Sequence, residues 1–274
     1  MILPVEDEFS DVLSKAQKGQ GLSTEVLAAR SGVPENEVRA ARRGEFDAKA
    51  VEALGKELGL NVPALLELGR GSWRPAEVPP MEGFAQVCSP FYDWQVNAFA
   101  LWDGELKQAI VFDTGTTAAP LIELLEAKGL ELRALVLTHA HWDHFDGAPE
   151  LLRRWPDARV FLGAKDGQVS VPTEAIEEGF AFELGKLKVR GFDTPGHTRG
   201  GMSFEVDGLE RRIAIVGDAL FAGSMGGANV SYEDGLASVQ RILSLEADTV
   251  LAPGHGPLTT VEQERRMNCF AKVD

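Results

Sequence analysis

The chain has only five histidines, and each stands at the end of an apolar run or in a Gly/Pro turn beside one. The run LRALVLT leads straight into His139-Ala140-His141-Trp142-Asp143-His144. His197 lies in TPGHT, Asp218 ends IVGD, and His255 lies in APGHG. Four strand-to-loop junctions therefore carry imidazole or carboxylate, and any fold that uses them together must gather four strand ends along one edge. On extended backbone, residues i and i+2 face the same side, so His139 and His141 can converge on one metal ion. Where the strand ends the chain turns, and Asp143 and His144 can face a second ion nearby. Loops at the ends of rigid strands hold such groups in fixed geometry. Imidazole with carboxylate is a ligand set for zinc, and equally accommodates ferrous iron or manganese. One histidine at a strand end is most often structural. Three within six residues, with two more in Pro-Gly-His turns, read as metal ligands.

Upstream, residues 1–70 read as helix after helix. Phe9 to Ala16 has helical apolar spacing. Ser23 caps a second helix carrying Val26, Leu27 and Ala28 on its apolar side, and Gly32 ends it. Pro34 opens a third, with Gly44 past its end. Asp47 caps AKAVEALGKELGL, and Val62 to Leu68 closes the set. Two short helices joined by a Gly-containing turn, with further helices after them, form the helix-turn-helix pattern. Residues 71–83 contain three prolines and no periodicity, as a linker or an extended crossing segment would. From residue 84 the texture changes. FAQVCSPF, QVNAFALW and QAIVFDTG are short strands between turn signals, and TAAPLIELLEAKGL is an amphipathic helix ending at Gly129. Beyond LRALVLT, strands ARVFLGA, KLKVRGF, RRIAIVGD and DTVLAPG alternate with helices APELLRRW and YEDGLASVQRILSL. This mixture over residues 84–274 predicts a layered α/β domain with helices outside a sheet sandwich.

Thr138-His139-Ala140-His141-Trp142-Asp143-His144 resembles the His-x-His-x-Asp-His signature of the metallo-β-lactamase superfamily. TPGHT around His197, Gly217-Asp218 and PGHGP around His255 are similar to its later motifs, in the same order. Asp113, in Phe112-Asp113-Thr114-Gly115, resembles its early Asp-x-Gly turn. The resemblance implies an αββα sandwich of two mixed β-sheets flanked by helices, here preceded by a small all-α domain. Within that superfamily the tail PGHGPLTTVEQERRMNCF and the segment GDALF resemble the glyoxalase II group of thioester hydrolases. The implied ligands are His139, His141 and His197 for a first divalent ion, and Asp143, His144 and His255 for a second, with Asp218 bridging both. The implied cofactors are two zinc ions, with iron or manganese as alternatives. A hydroxide shared between the ions is then the nucleophile, and the catalytic Asp143 holds it and shuttles its proton. Asp113 is read either as a partner that orients a ligand histidine or as a turn-capping residue.

Three features depart from the glyoxalase II pattern. Phe145-Asp146-Gly147 stands where Gly-Gly usually follows the first motif, which puts a carboxylate at the pocket rim. Gly227 and Asn229 replace an Arg and an Asp in the loop after Asp218. The chain stops soon after NCF, leaving no room for the helical domain that binds glutathione in larger glyoxalase II enzymes. Lactonases, phosphodiesterases and mononuclear-iron persulfide dioxygenases share the ligand set, so the expected activity is thioester hydrolysis with lactone hydrolysis or persulfide oxygenation as alternatives.

The formal net charge of −15 repels phosphate backbones and anionic lipid alike. A small-molecule substrate is therefore expected, and a nucleic-acid substrate is disfavoured. Residues 1–70 resemble the five-helix Cro/repressor type of DNA-binding domain, with Leu27, Ala28, Gly32, Val33 and Val38 at core positions. Yet they hold 12 acidic against 9 basic residues, a net of −3, and Glu35 and Glu37 sit at the entry of the recognition helix ahead of Arg39, Arg42 and Arg43. DNA-binding modules carry a basic footprint. A helical cap on the catalytic unit or a dimerisation element is expected instead, with a DNA-binding regulator as the rival. Cys88 and Cys269 lie far apart and read as reduced thiols of a cytoplasmic protein. The N-terminus has three acids in its first eight residues and no basic region of a signal peptide. No apolar run nears the roughly 20 residues that span a bilayer.

Overall fold

The computed structural model describes residues 3–272, so the first two residues and the last two of the expected 84–274 unit lie outside it. Five helices come first: α1 (Phe9–Gly19), α2 (Thr24–Ser31), α3 (Glu35–Arg42), α4 (Ala48–Glu57) and α5 (Val62–Gly69). Side-chain oxygens accept from otherwise free first-turn amides at three of their starts. Ser23 accepts from the Val26 amide, Asp47 from Ala50 and Asn61 from Ala64. Leu27 and Ala28 are buried, whereas Val26 is 40% exposed. A step of one residue turns about 100° round a helix, which carries Val26 off the apolar stripe. In α3, Arg39 is paired with Glu35 at 2.6 Å, and just beyond the helix Arg43 is paired with Glu45 at 2.9 Å.

The chain then builds two six-stranded sheets. The first sets β1 (Phe84–Phe91), β2 (Trp94–Asp103), β3 (Gln108–Phe112), β4 (Glu131–Val136), β5 (Arg159–Gly163) and β6 (Glu174–Ile176) side by side in chain order. Its first two pairings are antiparallel and the rest parallel. The second sheet runs β7 (Ala181–Leu184), β8 (Leu187–Asp193), β9 (Met202–Asp207), β10 (Ile213–Gly217), β11 (Val250–Pro253) and β12 (Thr259–Thr260), again in chain order. Only β10 and β11 are parallel there. The connecting helices are α6 (Ala119–Lys128), α7 (Trp142–Phe145), α8 (Ala148–Arg154), α9 (Tyr232–Leu243) and α10 (Val261–Met267). Gly129 closes α6 in the left-handed region at φ 62°, a conformation that costs glycine least.

Alternation along each strand divides the side chains between two layers. Ile110 and Phe112 of β3 meet Phe204, Ile213 and Ile215 between the sheets. Ala109 and Val111 point outward and pack beneath Leu121 and Leu125 of α6 and Leu151 of α8. Strands covered on both faces read as unbroken apolar runs, which is why QAIVF shows no alternation in sequence.

The outer face of the second sheet is covered differently. Ala214 and Val216 of β10 and Val239 and Ile242 of α9 belong to one buried cluster with Val12, Leu27, Leu54 and Leu65 of the leading helices. Residues 9–69 therefore share a core with the sandwich. The contact is sealed by polar bonds: Asn61 donates to the carbonyls of Arg266 and Asn268, and the Asn61 amide donates to Cys269. Residues 72–81 have no regular structure and cross the molecule, with the Ala76 amide bonded to Gln263 and Met81 buried. Cys88 is half-buried and Cys269 buried, and neither is bridged. Among the described residues no helix is long and apolar enough to cross a membrane.

Candidate metal centre

The edge where β3, β4, β8, β10 and β11 end carries every sequence-predicted ligand. Asp113 follows β3, His139 and His141 follow β4, and Asp143 and His144 lie in α7. His197 lies in the loop after β8, Asp218 directly follows β10, and His255 comes two residues after β11. The strand ends earlier than LRALVLT suggested, at Val136, so His139 and His141 stand on a loop. They converge nonetheless. His139 Nε2 is 3.1 Å from His141 Nδ1, and His197 Nε2 is 2.8 Å from the same atom.

A second set gathers beside the first. Asp143 Oδ2 lies 3.5 Å from His144 Nε2 and 3.3 Å from His255 Nε2. Asp218 stands between the two sets. Its Oδ2 is 3.3 Å from His197 Nε2 and 3.7 Å from His255 Nε2, while Oδ1 is 3.4 Å from His144 Nε2. Three groups of potential ligand atoms thus come together: His139, His141 and His197; His139, His144 and Asp218; Asp143, His144 and His255.

The imidazoles are held from behind. His144 Nδ1–H donates to Asp113 Oδ2 at 2.9 Å, and the same carboxylate accepts from the Thr138 amide and hydroxyl. Asp113 takes a left-handed backbone, φ 55°, to make these bonds, so it does more than cap a turn. His197 Nδ1 donates to the Gly227 carbonyl and His255 Nδ1 to the Gln95 carbonyl. In each of these three histidines the rear nitrogen is engaged and Nε2 is left facing the centre, as ligand histidines require. Asn97 was not legible as a site residue. Fully buried on β2, it donates to the Pro253 and Gly256 carbonyls and so fixes the turn bearing His255. A lone Asn in an apolar strand gives no signal beyond its rarity there.

The close approach of these groups depends on a missing side chain. A methyl group at Gly254 would collide with the Asp218 carboxylate and with His144. The protonation states are strongly coupled as well. Burial drives His139 well below the usual imidazole range, with His144 adding to the effect. Burial works against ionisation of Asp218, but His255, His144 and His197 outweigh it and hold the carboxyl well below its usual range. Burial likewise opposes charge on His144, and Asp218 and Asp113 outweigh it in the other direction.

The residues fit a divalent metal centre. Asp113, Asp143 and Asp218 are all buried, and among the described residues their only ion-pair partners are histidines. Buried carboxylates are paired or coordinate metal ions. With no lysine or arginine paired to them among the described residues, these three have as ion-pair partners only imidazoles that can themselves serve as ligands. His144 Nε2 and Asp218 Oδ1 are both buried with no hydrogen-bond partner, although they face each other. Orphaned atoms of this kind are what a metal ion satisfies.

The mouth is formed partly by residues that sequence reasoning missed. The hairpin between β1 and β2 brings Phe91 to 5.5 Å from the His255 ring and 5.4 Å from the Trp142 ring. The segment before α1 also reaches the site. A Cβ on Gly256 would stand 3.3 Å from the Glu6 amide. Glu6 is half-buried, and burial pushes its carboxyl up to about 7, opposed by the charge of His255. The segment is anchored by Asp7, buried in an ion pair with Lys15 and accepting from Ser224 Oγ in the loop after Asp218.

Known proteins match this arrangement. The model of the metallo-beta-lactamase superfamily matches residues 91–255. Hydroxyacylglutathione hydrolase GloC of Haemophilus influenzae is 32% identical over 217 residues, which cover 71% of this chain and 96% of that protein. Among solved structures, the BLEG-1 B3 metallo-beta-lactamase superposes with a TM-score of 0.60 at 28% identity, covering 69% of this chain and 100% of that one. TTHA1623, solved in a di-iron-bound form, gives 0.54 at 27% identity over 72% of this chain and 98% of its own. With its motifs in order at one edge of a two-sheet sandwich, the chain belongs to the metallo-beta-lactamase superfamily, a superfamily of metal-dependent hydrolases.

Proposed function

We propose that the chain hydrolyses thioesters at a centre of two divalent ions. His139, His141 and His197 would hold the first ion, Asp143, His144 and His255 would hold the second, and Asp218 would serve both. The observation that carries this reading is the Asp218 carboxylate, whose two oxygens face histidines of both sets. The thioester class draws on the likeness to hydroxyacylglutathione hydrolase. Zinc is the metal proposed, and iron fits the same donors.

Bound ions supply Lewis acidity toward the substrate carbonyl and an activated water at neutral pH. The protein's own groups do the rest. Asp143 turns Oδ2 toward His144 and His255, which leaves Oδ1 to accept the proton of the attacking water. As the new C–O bond forms and the C–S bond breaks, Asp143 returns that proton to the departing thiolate. Asp113 keeps His144 in the tautomer whose Nε2 faces the centre. The rings of Phe91 and Phe221, 5.5 and 5.7 Å from the His255 ring, exclude water from that side.

Elemental analysis of the purified protein, run beside assays with S-lactoylglutathione, an uncharged thioester and a simple lactone, tests the reading. About two equivalents of metal with thioester turnover is expected, as a binuclear centre requires. Asp143→Ala should abolish turnover and lower metal content, since it removes a ligand and the proton carrier together. Full activity in that variant would sink the mechanism. One iron per chain without hydrolysis would favour persulfide oxygenation, and turnover confined to the lactone would favour a lactonase.

A further inference from the structure

The substrate's reacting carbonyl must sit over the metal centre, so the rest of the substrate projects past the mouth. Two elements build that mouth. The tip of the β1–β2 hairpin supplies Phe91, Tyr92 and Trp94, and α7 adds Trp142. Tyr92 is 83% exposed, Trp94 48% and Trp142 46%. Phe91 meets Tyr92 at 5.1 Å and Trp142 at 5.4 Å between ring centroids, so these rings form one wall beside His255. Exposed aromatic rings grouped beside a reactive centre are a binding surface for apolar or cationic groups.

The second element is the strap of residues 3–7. It lies outside the part of the chain matched by the superfamily model, residues 91–255, yet it is laid against Gly256, next to His255. Between strap and hairpin lies a cavity of about 220 Å³ lined by Leu3, Pro4, Glu6, Trp94, Gln95 and Gly256, with Asp93 at its edge. Among the described residues its charged groups are Glu6 and Asp93. Glu6 is half-buried and has no ion-pair or side-chain hydrogen-bond partner among the described residues. Lys15, which acts on Glu6 through its charge, is itself bound to Asp7 and to the Met225 carbonyl. Glu6 and the Trp94 ring line one cavity, and the positive charges that act on Glu6 are those of His255, which belongs to the centre, and of this paired lysine. A carboxylate and aromatic rings at the mouth favour positive charge and repel negative charge.

We propose that Glu6 and this aromatic wall make the mouth selective for charge: it takes thioesters whose projecting part is neutral or cationic and rejects those that carry an anion there. The inference rests on the thioesterase reading above and gives it a substrate class. The strap is thereby a specificity element of the centre, supplied by the segment that leads into the helices.

Three thioesters with one acyl group and thiols of similar size test it on the metal-loaded full chain at pH 8: those of thiocholine, 2-mercaptoethanol and 2-mercaptoethanesulfonate. The cationic ester should exceed the anionic one in kcat/KM by at least about tenfold, as expected for one charge across a partly screened contact. Glu6→Gln keeps the shape and removes the charge, and should bring that ratio to within about threefold. The non-hydrolysable S-methyl thioethers of thiocholine and the sulfonate give a second readout, binding by calorimetry, in which the same order and the same collapse are expected. Should Glu6→Gln fail to fold, Asp93→Asn on the other side of the cavity and the salt dependence of the wild-type ratio stand in, and both should reduce it. A wild-type preference for the sulfonate, or a ratio untouched by these substitutions and by salt, would overturn the proposal. If no thioester is hydrolysed but the thioethers keep their charge order, the charge selectivity stands and the thioesterase reading falls. If all three esters react equally well, the reverse holds.

Discussion

Asp113 touches no other group at the centre except through His144 and Thr138, yet it governs which nitrogen His144 presents. An ionised carboxylate only accepts hydrogen bonds, so His144 must carry its proton on Nδ1 and leave Nε2 free. In Asp113→Asn the amide can offer a donor in place of that acceptor, and the imidazole can then protonate Nε2 instead. Metal affinity at the set containing His144 should fall by about 10–100-fold, with little change in the folded content seen by circular dichroism. Competition against a chelator of known affinity measures this. Unchanged affinity would reduce Asp113 to a turn residue. The sequence left both readings of Asp113 open because its turn is local, whereas its partner His144 stands 31 positions away.

At the scale of elements, α10 carries the most heavily buried charge outside the centre. Glu264 is fully buried and accepts from the Gly223 amide at 2.8 Å, Asn268 Nδ2 at 2.9 Å and Thr259 Oγ1 at 2.8 Å. Burial outweighs these three bonds and pushes its carboxyl up to about 7 from 4.5. The folded chain therefore binds the proton more tightly than the unfolded one. The cost of ionising Glu264 is absent below about pH 4.5, grows as pH rises and is complete above about pH 7. It amounts to at most about 3 kcal/mol. Glu264→Gln keeps two acceptor contacts on its oxygen and can donate to Thr259 from its nitrogen. Urea titrations of both proteins between pH 4 and 8 should show the variant gaining on the wild type as pH rises. A constant difference would mean that Glu264 does not titrate there. In the sequence this tail carries only its likeness to the glyoxalase II group and no sign of a buried acid, because nothing local reports that Glu264 points toward the loop at Gly223.

At the scale of the whole molecule, the leading helices and the sandwich close one core between them. The sequence divided the chain at residues 70 and 84 on texture, and that division follows the change from helices to strands. It does not follow the packing. Phe192, Val216, Val239, Ile242 and Phe270 bury their side chains against the cluster that includes Leu54 and Leu65. A chain beginning at residue 71 would expose that face, and a large apolar patch drives association. It should aggregate or lose cooperative unfolding when followed by light scattering and circular dichroism. A soluble monomer with its full metal content would show instead that the helices are dispensable. Because the helices share this core, their caps and turns could be read locally while their role could not.

What the sequence determined by itself was a set of candidate donors and the kind of place each one occupies. Strand ends, Gly/Pro turns and helix caps are encoded within a few neighbouring residues, so the seven ligand candidates and the alternation of the sandwich were legible one segment at a time. Only the tertiary structure decided that Asp218 faces both histidine sets, that Asn97 steadies the turn at His255, and that Glu6 borders the mouth. Each of these joins residues far apart in the chain: Asp7 reaches Ser224 across 217 positions and Asn97 reaches Pro253 across 156. Such contacts leave no periodicity in the sequence, because they arise only when separate faces are buried against one another.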